Sequence, residues 1–299
     1  MNNPIPRFRN YSIRLLPLLL VFGLQLFGAA PAQAQPAMWV IKDNDSTIYL
    51  IGTIHLLRHE TDWDATKVKK AVAESTQLWL EATDIDDPAA MAPVIAQYGM
   101  DTEHPLSSKL NPTQKQKLAS VAETYGLPLE TFESMKPWMA AMLLTVLPLQ
   151  KAGFDPNAGV DLLLKSWATK EGDQIFGFET AAQQIRFFAD LSEADQIAFL
   201  EEQMTEVEKG MGELEKLAKA WMDGDMETIG QLLNTEVKKQ SPALYQKLLV
   251  QRNIAWAEKI EKILKGSGVQ QIAVGAAHLA GSDSLQVQLA KRGIKVERY

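Results

Sequence analysis

The sequence predicts an α/β protein: a mixed sheet built from strand–Gly-x-x-His–helix units at the two ends of the chain, with a large helical insertion between them. Three observations predict it. Ile51-Gly52-Thr53-Ile54-His55-Leu56 and Val274-Gly275-Ala276-Ala277-His278-Leu279 are nearly the same phrase, and they hold two of the four histidines. Each phrase closes a hydrophobic run of strand length and leads into a polar stretch and then a helical pattern. The residues between the two units read mostly as helices. Ligands of open α/β sheets gather outside the carboxyl ends of strands, so two imidazoles delivered there mark a candidate site.

Residues 1–34 read as a secretory signal rather than as fold. Arg7, Arg9 and Arg14 precede the apolar run Leu15 to Gly28, and Ala32-Gln33-Ala34 supplies the small-x-small cleavage site. The run is short for a membrane span and is interrupted by Pro17 and Gly23. Cleavage after Ala34 leaves residues 35–299 as a single domain, periplasmic or secreted, with no stable membrane span. The formal charge of −7 becomes −10 once the three arginines are removed. That acidic balance argues against nucleic acid as a partner. There is no cysteine, so no disulfide framework exists and any metal site must draw on His, Asp or Glu.

Met38 to Asp43 and Ser46 to Thr53 read as two strands turned by Asn44-Asp45. Asp64 to Ser75 is a helix. Gln77 to Glu81 is a short buried strand ending in an acid, and strand–helix–strand order implies a parallel pair. Residues 88–172 are mostly helical, broken at Leu110-Asn111-Pro112, Gly126-Leu127-Pro128 and Gly153-Phe154-Asp155-Pro156-Asn157. Gln174 to Phe178 is a strand. Ile197, Leu200, Met204, Val207, Met211 and Leu214 form an apolar seam at steps of three and four, read as one helix facing a core. The chain closes with strand Gln270 to Val274, helix Ser284 to Lys291 and strand Ile294 to Arg298.

Glycine three residues before each histidine allows close approach of another chain or a ligand at the strand end. His55 and His278 are either two metal ligands or a general acid–base pair. A metal needs a third ligand, a carboxylate where cysteine is absent. Glu81 is the choice, since it too ends a strand of the same βαβ unit; a solvated strand exit is the equal alternative. His59 reads as a rim residue and His104 as a surface residue. Asp84, Asp86 and Asp87 read as the acidic turn at a helix N-terminus.

Taken together, Gly52-Thr53-Ile54-His55-Leu56, Leu80-Glu81, Lys136-Pro137-Trp138, Gly159-Val160-Asp161, Glu179-Thr180 with Gln183, Arg252-Asn253 with Trp256, and Gly275-Ala276-Ala277-His278-Leu279 form a series. A chain carrying them in this order resembles the TraB/GumN family, which is related to the Tiki metalloproteases. The resemblance spans nearly all of residues 35–299. It implies an α/β fold with a helical middle and a site of two Gly-x-x-His phrases, a glutamate and an arginine. On it, His55, Glu81 and His278 become the shell of a divalent ion: manganese, cobalt or zinc. Arg252 would stabilise a developing oxyanion, Asn253 would support the site by hydrogen bonding, and Glu179 would be a supporting partner or a general base. Asp161 and Trp138 read as structural. The implied activity is metal-dependent hydrolysis of a peptide or other amide. The alternative is a non-catalytic envelope protein that binds a peptide, polysaccharide or pheromone-like ligand in the same cleft.

Overall fold

A computed structural model describes residues 35–209 and 212–299; the expected signal, residues 1–34, lies outside them. Among the described residues there are eight strands: β1 Met38–Lys42, β2 Ser46–Thr53, β3 Leu57–Arg58, β4 Gln77–Ala82, β5 Phe154–Asp155, β6 Gln174–Glu179, β7 Gly268–Gly275 and β8 Glu297–Arg298. Six of them make one mixed sheet in the order β6-β4-β7-β2-β1-β8. β3 and β5 pair separately and antiparallel. The α/β class with a mixed sheet and a large helical region between its two ends is therefore observed.

The turn Asn44-Asp45 makes β1 and β2 an antiparallel hairpin, its turn held by the Asp43 carboxylate accepting from Ser46 N at 2.8 Å. β2, β7, β4 and β6 run parallel to one another. β2 and β7, the strands of the two matched phrases, are direct neighbours with Thr53 opposite Gly275. Parallel strands need long crossovers, and the helical insertion serves as one. Because the four strands point the same way, their carboxyl ends lie along one edge.

The sheet is covered on both faces, as parallel strands require. Met38, Ile51, Leu78, Leu80 and Ala273 pack with Val68 and Val72 of helix Thr66–Glu74 and Leu164 of helix Val160–Glu171. Ile48, Leu50, Ile272 and Val274 pack on the other face with Trp256 and Ile260 of helix Gln251–Leu264 and with Leu285 and Leu289. A third core lies within the insertion, where Leu200 and Met204 meet Ala140, Ala141 and Leu144 of helix Pro137–Lys151. Among the described residues no helix is long and apolar enough to cross a membrane.

Two expectations change. The seam from Ile197 to Leu214 is divided between helices Glu193–Lys209 and Gly212–Met222, with Met211 outside the described residues. Leu200 and Met204 face the insertion's core, whereas Leu214 packs toward the sheet's core; a heptad count cannot register such a break, because the apolar spacing continues through it. The last strand is only Glu297–Arg298, the edge strand of the sheet, pairing with β1, while Ile294 and Val296 serve as packing residues instead.

One core residue sits at a cost. Gln271 of β7 is 1% exposed, and among the described residues neither its Oε1 nor its Nε2 has a partner. A buried amide without partners is unfavourable by about 1–3 kcal/mol. Gln271→Met, similar in length and apolar, is expected to raise the melting temperature by a few degrees, about 2–4 °C per kcal/mol for a chain of this size. An unchanged or lower melting temperature would show that the amide is satisfied in solution.

Candidate functional site

All four parallel strands deliver a polar residue to the same edge. His55 follows β2 by two residues, Glu81 is the penultimate residue of β4, Glu179 ends β6, and His278 lies in the single turn of 3-10 helix Ala276–Leu279 after β7. Helix Gln251–Leu264 brings up Arg252, Asn253 and Trp256, all buried. Thr180 caps helix Ala181–Ala189 in a capping box with Gln183. That cap leaves the Glu179 carboxylate free to face Arg252 rather than the helix terminus.

Arg252 is the hub. Its Nε donates to Glu179 Oε1 at 2.9 Å, and its Nη2 donates to Glu179 Oε2 at 2.9 Å and to Glu81 Oε2 at 2.5 Å. Its Nη1 donates to Leu248 O at 3.0 Å and faces His278 Nε2 at 3.0 Å. Leu248 O reaches Arg252 from the wide π-helical turn Gln246–Val250, which precedes the helix. The guanidinium plane lies 4.5 Å from the Trp256 ring and 5.3 Å from the Phe187 ring. With its five N–H groups all engaged, Arg252 is built to hold carboxylates in place. The oxyanion role that the resemblance implies for Arg252 would require one of these bonds to open.

The two imidazoles are oriented in the same way from opposite sides. His278 Nδ1 is 2.7 Å from Asn253 Oδ1, and Asn253 Nδ2 donates to Asp283 O at 2.8 Å. An amide oxygen can only accept, so His278 carries its proton on Nδ1 and turns the Nε2 lone pair toward the site. His55 Nδ1 is 2.7 Å from Asp161 Oδ2, whose other oxygen accepts from Thr53 Oγ1 at 2.6 Å. The same reasoning leaves His55 Nε2 facing inward. Glu81 Oε1 accepts from Gly275 N at 2.7 Å and lies 3.7 Å from His278 Nε2.

The glycines of the two phrases make room for one another. A Cβ on Gly52 would lie 3.1 Å from Ala276 Cα, so the first glycine admits the second phrase. A Cβ on Gly275 would lie 3.1 Å from Glu81 Oε1, 3.6 Å from His55 Nε2 and 3.8 Å from His278 Cδ2. The second glycine thus leaves a small cradle lined by all three side chains expected to bind a metal.

The donor set suits a divalent ion chemically. Each imidazole has its Nδ1 held by an oxygen, the outer-shell arrangement that orients metal-binding histidines, and a carboxylate completes the group. Among the described residues no three such side chains are drawn together as a ready ion site. Arg252 Nη1 engages the His278 Nε2 lone pair, so ion binding requires that bond to open.

Charge in the site follows from burial and neighbours. Burial opposes ionisation of Glu81, but the charges of His278, Arg252 and His55 and the Gly275 N–H outweigh it and hold the carboxyl down to about 2. His278 is neutral at neutral pH, since burial, opposed by Glu81 and aided by Arg252, pushes it down to about 3. Asp161 drives His55 up to about 9 against the effect of burial. The His55 side chain is 60% exposed, so solvent screens part of that effect.

A sign follows for each. His278 resists a proton that the unfolded chain takes up near 6.5, and Glu81 resists one taken up near 4.5. Stability in metal-free buffer should therefore fall as pH drops from 6.5 toward 3, with the Glu81 contribution lost between 4.5 and 2. His55 acts oppositely, its contribution being full below 6.5 and lost as pH rises through 9. His278→Gln should flatten the limb between pH 6.5 and 4.5 in urea midpoints. A wild-type midpoint that does not fall across that interval would contradict a neutral buried His278.

The remaining sequence candidates fall outside the centre. His59 pairs with Asp155 at 2.7 Å with its side chain 68% exposed, and His104 sits on the surface beside Asp101. Asp87 caps helix Pro88–Gly99, Asp86 pairs with Lys165, and Asp84 accepts from Ala181 N. Trp138 is buried and donates to Tyr98 O at 3.1 Å. Asp161, read from sequence as structural, is instead the partner of His55. Gln184 also went unnoticed: its Nε2 donates to Glu81 Oε2 at 3.1 Å and to Glu179 Oε2 at 3.3 Å. Trp256 Nε1 donates to Glu179 Oε1 at 3.1 Å, and its ring lies 4.4 Å from the His278 ring. Asp161 and Trp256 stood within the motifs; what the motifs lack is any indication of pairing.

Fold and site together define an open-sheet α/β protein with a polar centre of two histidines, two glutamates and an arginine at its strand ends. The chain belongs to the TraB/PrgY/gumN family, whose model matches residues 37–298. It is 26% identical over 256 residues to the uncharacterized protein YbaP of Escherichia coli (strain K12), covering 85% of this chain and 92% of that one. The same identity and coverage relate it to YbaP of Shigella flexneri. No solved structure matches the chain.

Proposed function

We propose that this chain is an exported metal-dependent hydrolase of peptides or other amides, with cleavage of its signal after Ala34. The observation that supports the reading best is the convergence of Glu81 Oε1, His55 Nε2 and the His278 ring on the cradle at Gly275. In this reading His55, Glu81 and His278 hold a divalent ion of the manganese, cobalt or zinc kind. When bound, such an ion supplies Lewis acidity to the amide carbonyl and lowers the pKa of the attacking water.

The protein's own groups prepare that chemistry. Asn253 orients the His278 ring so that its Nε2 would turn to an ion once the Arg252 bond opens, and Asp161 orients His55, whose Nε2 would coordinate after losing its proton. Arg252 keeps Glu81 ionised and, with Gln184 and Trp256, locks Glu179 beside it. Glu179 is therefore a supporting partner of Arg252 and not a base, because Arg252, Trp256 and Gln184 occupy its oxygens.

Metal content of the purified mature protein, with peptide cleavage measured with and without chelator, tests the reading. His55→Ala and His278→Ala are expected to lower metal affinity, and cleavage should disappear with either. Gly275→Ala is the sharper probe: its methyl would occupy the cradle 3.1 Å from Glu81 Oε1, so the variant should fold yet lose metal and turnover together. Equal metal content in wild type and all three variants would remove the metal shell. The binding-protein alternative has one observation in its favour, the Arg252 bond to His278 Nε2; a metal-free protein that retains peptide affinity would select it.

A further inference from the structure

The polar centre is the meeting point of two separate apolar clefts. The larger, about 550 Å³, is walled by Met139, Met142, Phe187 and Phe188. The smaller, about 290 Å³, is walled by Leu214, Leu217, Trp221 and Ile229 on the other side. His55, Glu81, Arg252, Ala277 and His278 line both. The reacting position therefore lies midway along a path open in two directions.

The charged groups lining that path are those of the shared centre, and each is held by the protein, with His55 Nε2 left facing the cleft. His55 is held by Asp161, His278 by Asn253, and Arg252 has given its donors to Glu81, Glu179, Leu248 and His278. An enzyme that trims chain ends must bind a terminal ammonium or carboxylate with an opposite charge held ready for it. Here the described lining residues offer apolar surface on either side and bonded polar groups in the middle. Methionines in the larger cleft give it an adaptable wall.

We propose that the two clefts seat the two sides of one uncharged segment, so that the substrate is an internal, apolar stretch of peptide. The bulkier side chain occupies the larger cleft and a leucine-sized one the smaller, with the amide between them over the polar floor. This rests on the hydrolase reading for the fate of the amide, but binding can be measured apart from it.

The probes are N-acetylated, C-amidated octapeptides, assayed by equilibrium dialysis in metal-free buffer. One carries Phe and Leu flanking its central amide, one carries Asp at both places, and two carry a single apolar residue, Phe on one side or Leu on the other. The Phe–Leu peptide should bind at least about tenfold tighter than the Asp peptide, since burying one such side chain is worth that much. Met142→Trp, filling the larger cleft, should weaken the Phe-only peptide and spare the Leu-only one; Leu217→Trp should do the reverse. Met142→Ala and Leu217→Ala, which empty the walls without adding bulk, provide the same comparison if a tryptophan variant does not fold. Equal affinity for the Asp peptide, or both one-sided peptides responding to the same variant, overturns the proposal. Cleavage of the same set with added manganese is scored separately by mass. The binding pattern without cleavage would refute the hydrolase and retain the clefts, whereas cleavage without the pattern would do the opposite.

Discussion

Arg252→Met should destabilise the protein by about 3–5 kcal/mol, the cost of stranding buried charges when one partner is removed. At about 2–4 °C per kcal/mol this is a fall of about 10 °C in melting temperature. The size follows from what the arginine touches. Glu81 is 9% exposed and Glu179 is nearly as enclosed, their side chains both at 11%, and Arg252 is the cation bonded to both. Without it the two carboxylates lie side by side in an apolar setting, and one of them must take up a proton or water must enter. Replacing the carboxylates as well, in Arg252→Met with Glu81→Gln and Glu179→Gln, should recover much of the loss, because amides carry no charge to strand. Arg252→Lys should fall between, keeping a charge but losing the planar fork that spans both carboxylates. Thermal melts of the four proteins decide the matter, and a loss below about 1 kcal/mol for Arg252→Met, the scale of a surface pair, would refute the hub.

The second large effect is expected from a glycine away from both phrases. Gly159 has φ −61° and ψ 141°, a conformation open to any residue, so its role is space rather than backbone freedom. A Cβ there would lie 2.4 Å from His55 O and 3.0 Å from Pro156 O, both backbone atoms with little freedom to yield. Gly159→Ala must therefore push His55 away from helix Val160–Glu171. Val160 N donates to Ile54 O at 3.0 Å, and Asp161 reaches His55 and Thr53 from the same turn, so three contacts open together. Overpacking of this kind costs about 1–3 kcal/mol. The more telling readout is the His55 ring, whose titration should shift from about 9 toward its ordinary 6.5 as Asp161 withdraws. Asp161→Asn removes the same charge without the clash, so it should shift the titration with less loss of stability. An NMR titration in which His55 keeps its high value in Gly159→Ala would overturn the spacing argument.

The sequence by itself determined the α/β class, most strand positions and the edge at which polar residues collect. Those properties are local or additive. Alternating and continuous apolar runs mark strands, and Asn44-Asp45 marks a turn. A residue just beyond a strand's apolar run lies at that strand's carboxyl end wherever the strand is placed. His55, Glu81 and His278 were legible for that reason, and Arg252, Asn253 and Glu179 through resemblance. Only the tertiary structure decided how they are paired. Ninety or more residues separate Glu81 and Glu179 along the chain, and Arg252 reaches them from a helix whose register is set by a π-helical turn. Nothing in the spacing of Arg252 indicates that all its donors are consumed within the protein. Asp161 reads as an ordinary acid in a helix's first turn until the absence of a side chain at Gly159 lets His55 approach it. Burial and hydrogen bonding between distant segments depend on three-dimensional distance, and periodicity along one strand or helix contains no record of it.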